Sequence, residues 1–163
     1  MKQLLWAAAF FTSPVLAEES AFVHFKALKP AFSIKMAEAA LQHCQNEGYQ
    51  IGVMVTDRFG IPQVFIRDRF AGIHVFENTR RKAWTAVSFR QPTSELISVT
   101  APNEDLAGLR HLTEVMILGG GLPVFDGEGS VIAGIGVSGA PGGDQDEQCA
   151  AAGINAIEDD IVF

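Results

Sequence analysis

From Pro30 to Glu47 the apolar positions Ile34, Ala37, Leu41 and Cys44 recur every three or four residues, the stripe of an amphipathic helix, and Gly48 ends it. The period then changes. QIGVMVTD (50–57) is a short run rich in Val and Ile that stops at RFG, and PQVFIRD (62–68) resumes after a tight turn, so the pair predicts a hairpin. VFENTRRKAWTAVSF (75–89) returns to the helical period, with Val75, Thr79, Ala83, Ala86 and Val87 on one side and charge on the other. PTSELISV (92–99) predicts a short third helix with Pro92 near its first turn. Beyond a loop around NEDLAGLRHL, the stretches EVMILG, LPVFD and VIAGIGVSG alternate with GGG and DGEG, the turn chemistry of adjacent antiparallel strands. The last helix is expected to begin at Asp144, capped by that carboxylate with Glu147 reaching back, and to bury Cys149, Ala152, Gly153, Ala156 and Ile157. Together these elements predict a layered α+β domain with a mainly antiparallel sheet flanked by helices.

One stretch invites a different reading. GIGVSG (134–139) fits G-x-G-x-x-G, and Asp159 lies twenty residues past its last glycine. A dinucleotide site needs a strand ending and a helix starting at those glycines, followed by a parallel strand that carries the acid. Here the glycines fall inside a strand, APGG separates them from the next helix, and Asp159 sits near the close of that helix. The pattern therefore reads as a strand lying close beneath a packed helix or close to a ligand.

At 163 residues and 48% hydrophobic content the chain suits one domain. A formal charge of -7 argues against a nucleic-acid partner, which needs a basic stripe. Only RDR (67–69) and TRRK (79–82) are locally basic, as solvated faces or small sites. The first seventeen residues, MKQLLWAAAFFTSPVLA, carry Lys2, an apolar run from Leu4 to Phe11, Pro14, and Val15 and Ala17 before a cleavage point. This is the pattern of a secretory signal peptide (1–17), so a single domain over 18–163 is expected in the periplasm or outside the cell, with no membrane insertion. Cys44 and Cys149 would then meet an oxidising compartment. Each lies on the apolar stripe of a terminal helix, and a Cys44–Cys149 disulfide is expected. No C-x-x-C-H haem-attachment motif and no zinc spacing is present.

Four blocks carry a resemblance: VTDRFGIPQVFIRDRFAG (55–72), RRKAWTAVSF (80–89), GGGLPVFDGEGSVIAGIGVSGAPGG (119–143) and the following DEQCAAAG. In this order they resemble the GlcG/HbpS-like haem-binding family, whose domain is shared with the C-terminal part of PduO-type adenosyltransferases. The resemblance spans roughly Leu28 to Ile157. It implies a profilin-like layering with a five-stranded antiparallel sheet, a homo-oligomer between a dimer and an octamer, and non-covalent haem as ligand. A separate expectation is a structural or signalling oligomer that presents its surface to a sensor or transporter partner. One branch of the family uses a histidine near the first helix. That region offers His24 and His43, and neither falls in a motif that aligns.

Haem iron takes an imidazole, and its propionates take Arg or Lys. RDRFAGIHVFENTRRKAW supplies both: His74 as axial ligand, Arg80, Arg81 and Lys82 as propionate partners, and Phe70, Phe76 and Trp84 as apolar walls. The plainer alternative makes His74 a solvated loop residue, pairs the arginines with Asp68 and Glu77, and puts the aromatics in the core. His111, beside Arg110 near an expected strand, is a second ligand candidate. His43 lies at the edge of the first helix's packed face, and Met36, Met54 and Met116 read as core. No H-E-x-x-H, G-x-S-x-G or P-loop occurs. The other expectation is a non-catalytic accessory protein that holds a small organic anion in a nest of N–H groups formed by GGGLP, SGAPGG and the second helix.

Overall fold

The computed structural model describes residues 20–162. The chain runs α1 (Pro30–Asn46), β1 (Gly52–Asp57), β2 (Pro62–Arg67), α2 (Val75–Phe89), the one-turn α3 (Leu96–Val99), a 3-10 turn (Ala107–His111), β3 (Gly121–Phe125), β4 (Val131–Ser138), α4 (Gly143–Asn155) and α5 (Glu158–Ile161). The expected signal peptide lies outside the described residues.

The strands lie in the order β2-β1-β4-β3 with every neighbour antiparallel. This is the expected α+β architecture with four strands among the described residues, where the resemblance implies five. EVMILG joins no ladder, because side chains take its backbone groups instead. Arg81 Nη2 donates to Val115 O (2.6 Å), Met116 N–H to Thr85 Oγ1 (2.9 Å), and Thr93 Oγ1 to Leu118 O (2.6 Å).

β4 is buried at every position, as a central strand covered on both faces must be. Its alternation sorts the two layers. Ala133, Ile135 and Val137 belong to the core that includes Met36, Ala40 and Cys44 of α1 and Cys149 and Ala150 of α4. Gly134 and Gly136 face the other way, against α2. A Cβ at Gly136 would run into the Thr79 carbonyl and lie 2.8 Å from Ala83 N; one at Gly134 would meet Val87 and lie 2.8 Å from Ala83 O. The first two glycines of the G-x-G-x-x-G stretch thus seat a helix, one of the two readings its context left, while Gly139 packs against the Gln50 and Ile51 backbone.

α1 and α4 lie side by side on the opposite face, joined by the Cys44–Cys149 disulfide with a Cα–Cα distance of 5.6 Å. The expected cap of α4 is not formed. The helix begins at Gly143 with Gly142 at the cap position and no side-chain cap. Glu147 instead accepts from Ser94 Oγ (2.9 Å) and Gly120 N–H (3.4 Å). Close contact between the Gly119 and Gly143 backbones, where a Cβ on either would lie within 3.0–3.1 Å of the other, sets how the chain enters α4. At the far end of the sheet the β3–β4 turn is held by Asp126 Oδ1, which accepts N–H bonds from Glu128 (3.0 Å) and Ser130 (2.9 Å).

Candidate functional site

A cavity of about 640 Å³ opens at the end of the sheet where β2 and β4 finish and β1 and β3 begin. Strand ends and glycine-rich loops meet there, so several separate segments line one space, the α1–β1 loop with Tyr49 and α3 with Ile97 among them. The β2–α2 loop brings Phe70 and His74, α2 brings Lys82, the approach to β3 brings Leu118 and Gly119, the end of β4 and the loop after it bring Ser138, Gly139, Ala140 and Pro141, and the start of α4 brings Gly143, Asp144 and Asp146.

His74 stands at the entry to α2 and makes no side-chain cap. Its ring packs over Gly72, where a Cβ would lie 2.5 Å from Cε1 and 2.7 Å from Nδ1, so only glycine leaves room for this placement. Apolar side chains that water would normally repel stand around it. Phe70 is 75%, Leu118 50% and Ile97 45% exposed, and all three line the cavity. Of the other expected walls, Phe76 stacks edge-on against Phe65 at 4.9 Å and Trp84 packs with Leu96 and Val115, both away from this cavity.

Lys82 is only 2% exposed. Its Nζ donates to Val137 O and to Asp146 Oδ2, each at 2.8 Å, while Asp146 Oδ1 accepts the Ala140 N–H at 3.0 Å. One buried ion pair therefore ties α2, the end of β4, the β4–α4 loop and α4 together under the cavity. Burial pushes the Asp146 carboxyl above its usual range, against the pull of the Lys82 charge. Asp146 falls within the DEQCAAAG block, and nothing in its spacing assigns it a role. A signal existed at its partner: Val75, Thr79, Lys82 and Ala86 share one stripe of α2, and a lysine on a buried stripe needs a buried counter-charge.

The remaining basic candidates go elsewhere, because residues 80, 81 and 82 are about 100° apart around a helix. Arg80 is bound by Glu77 (2.7 Å) and Glu114 (2.6 Å), and Arg81 donates to Val115 O. The expected cationic cluster is thus not one cluster, and Lys82 is its single member on the cavity. Arg80 pairs with Glu77 as the plainer reading holds; Asp68 instead accepts from Gln45 Nε2 and the Ile51 N–H. His111 ends the exposed 3-10 turn rather than opening a strand, and neither it nor His43 lines this cavity. His24 lies on a separate, smaller cavity with Arg58. Among the described residues no group of three His, Cys, Asp or Glu side chains is placed to hold a metal ion, and no helix is long and apolar enough to cross a membrane.

The model of the family described as haem degrading protein HbpS-like matches residues 30–155. A double mutant of HbpS from Streptomyces reticuli superposes with a TM-score of 0.79 at 37% identity, over 90% of this chain and 97% of that one. PduOC in its haem complex superposes with a TM-score of 0.76 at 33% identity, over 81% and 96%. The corrinoid adenosyltransferase PduO of Salmonella typhimurium is 34% identical over 125 residues, 76% of this chain and 37% of that protein. The chain spans about two fifths of the length of the PduO relatives it matches. With its architecture, its glycine-seated helix and this match over most of its length, the chain belongs to the HbpS-like family.

Proposed function

We propose that the protein binds haem non-covalently in this cavity, with the His74 imidazole as axial ligand, and acts outside the cytoplasm in haem storage, sensing or delivery. The placement of His74 carries the reading: an imidazole on a cavity whose rim is built of exposed Phe70, Ile97 and Leu118. Haem is a large apolar disc that asks for such a rim and one nitrogen donor, and about 640 Å³ falls in the range of roughly 300–1,000 Å³ common for small-molecule sites. The solved PduOC–haem complex supports the same ligand class. Arg80 and Arg81 are engaged away from the cavity, so the cations left for propionates are Lys82 on its wall and Arg69, whose guanidinium lies 4.9 Å over the Phe70 ring. The disulfide and the signal-peptide pattern support a site of action in an oxidising compartment. Exposed Phe22, Val23 and Phe59 favour assembly into a homo-oligomer, which light scattering would measure.

Titration of the purified chain with haem, followed at the Soret band, tests the reading. Saturation near one haem per chain or per dimer is expected. His74→Ala should move the Soret maximum and weaken binding, while His43→Ala and His111→Ala should do neither. No saturable binding, or an unchanged spectrum in His74→Ala, overturns the assignment.

A further inference from the structure

An ammonium has three N–H donors, and two of those on Lys82 are matched, by Val137 O and Asp146 Oδ2. Lys82 nevertheless lines the cavity, which leaves one donor for whatever enters it. The wall beside it is also rich in donors, since Gly143 and Asp144 of the first turn of α4 line the same space and no side chain caps that turn. A buried ammonium with an unfilled donor, next to uncapped helix N–H groups, matches an anionic acceptor with two oxygens. We propose that the floor of the cavity is a carboxylate subsite centred on Lys82, with the first turn of α4 beside it. This rests on the cavity being a ligand site but not on the ligand being haem: the carboxylate belongs either to a haem propionate or to a small free organic acid.

Asp146 gives the subsite a diagnostic property. The Lys82–Asp146 pair is neutral, so an arriving carboxylate places two negative groups on one ammonium, an arrangement that drives a proton onto one of them. Burial already favours the protonated form of Asp146. Binding is therefore accompanied by proton uptake and strengthens as pH falls. The other titratable groups on the cavity are His74 ahead of α2, Tyr49 on the α1–β1 loop and the exposed Asp144. β4 contributes only the Val137 carbonyl and the Ser138 hydroxyl, and Glu147 is engaged by Ser94 and Gly120.

The test is calorimetric titration of the folded chain with sodium propionate between about pH 5 and about pH 8, in buffers of different ionisation enthalpy. Uptake of about one proton per propionate is expected, with affinity falling about tenfold per pH unit where Asp146 titrates. Asp146→Asn keeps an acceptor for Lys82 but removes the competing charge, so it should bind propionate about tenfold or more tightly at neutral pH and lose the pH dependence. His74→Gln should keep that dependence. Zero proton uptake by the unaltered chain overturns the proposal without any variant, as does a pH dependence that survives Asp146→Asn and disappears in His74→Gln. Parallel titrations with haem and haem dimethyl ester separate the sources. Haem binding that exceeds ester binding and is displaced by propionate assigns the subsite to a haem propionate. Proton-linked propionate binding with no Soret change assigns it to a free acid and removes the haem reading. Equal Soret changes for haem and ester, with no propionate binding, keep the haem reading and remove the subsite.

Discussion

Substituting Gly136 by Ala places one methyl group where the sheet and α2 meet backbone to backbone. Its Cβ would collide with the Thr79 carbonyl and lie 3.0 Å from Thr79 C and 2.8 Å from Ala83 N. None of these atoms is the end of a flexible side chain, so relief requires α2 to lift from β4 by about 1 Å, a gap that forfeits a quarter to a half of each van der Waals contact along the seam. The seam includes the buried Val75, Ala83, Ala86 and Val87. Overpacking typically costs about 1–3 kcal/mol, and a backbone-to-backbone clash belongs at or beyond the upper end, about 3 kcal/mol. For a domain of this size that lowers Tm by about 6–12 °C, at about 2–4 °C per kcal/mol. Urea unfolding should show a lower midpoint with unchanged slope. Gly108→Ala is the control, since a Cβ there meets nothing within 4 Å, and it should stay within about 0.5 kcal/mol of the parent. Gly136→Ala within that same margin would refute the claim that Gly134 and Gly136 are glycine in order to seat α2.

Reducing the Cys44–Cys149 bond frees a loop with ends 105 residues apart, and the chain-entropy model puts the loss at up to about 4.7 kcal/mol; thermal unfolding with and without reductant measures it, and an unchanged Tm would contradict it. Lys82→Met leaves Asp146 buried without its counter-ion and should cost about 3–5 kcal/mol by urea unfolding, with a loss under about 1 kcal/mol arguing against a tightly held pair. Hydrogen bonding from the Ser130 N–H, with the Lys26 ion pair and the Glu128 N–H adding to it, holds the Asp126 carboxyl below its usual range. Because its folded value is depressed, its contribution is present above the unfolded value of about 3.9 and is lost as pH falls through the folded one. Asp126→Asn should flatten that part of the acid limb, and an identical acid limb in both proteins would show that the turn is not held by this charge.

Local pattern determined the elements with a strong period or hard punctuation. The stripe of α1, the β1–β2 hairpin around RFG, the charged face of α2 and the pairing of two cysteines each depend on neighbours a few residues apart or on one shared face, and the fold reproduces them. EVMILG escaped because its hydrophobicity suits a strand, whereas the decision fell to Arg81, Thr85 and Thr93, distant side chains that reach its backbone first. The start of α4 escaped likewise: a D-x-x-E spacing offers a cap, but contact between Gly119 and Gly143 sets the entry and Glu147 serves Ser94 and Gly120 instead.

For the candidate site, the family resemblance suggested haem, the residue types that haem asks for then pointed to the stretch containing His74 and Lys82, and both line one cavity. What it could not supply was direction. Arg80, Arg81 and Lys82 are adjacent in the chain, yet helical geometry sends them to Glu77 and Glu114, to the Val115 carbonyl, and to Asp146. The Lys82–Asp146 pair joins residues 64 positions apart, and nothing in the spacing of either names the other. Only the packing of α2 and α4 against opposite faces of the same strand brings that ammonium and carboxylate together, because a buried charge is tolerated only where the fold delivers its partner.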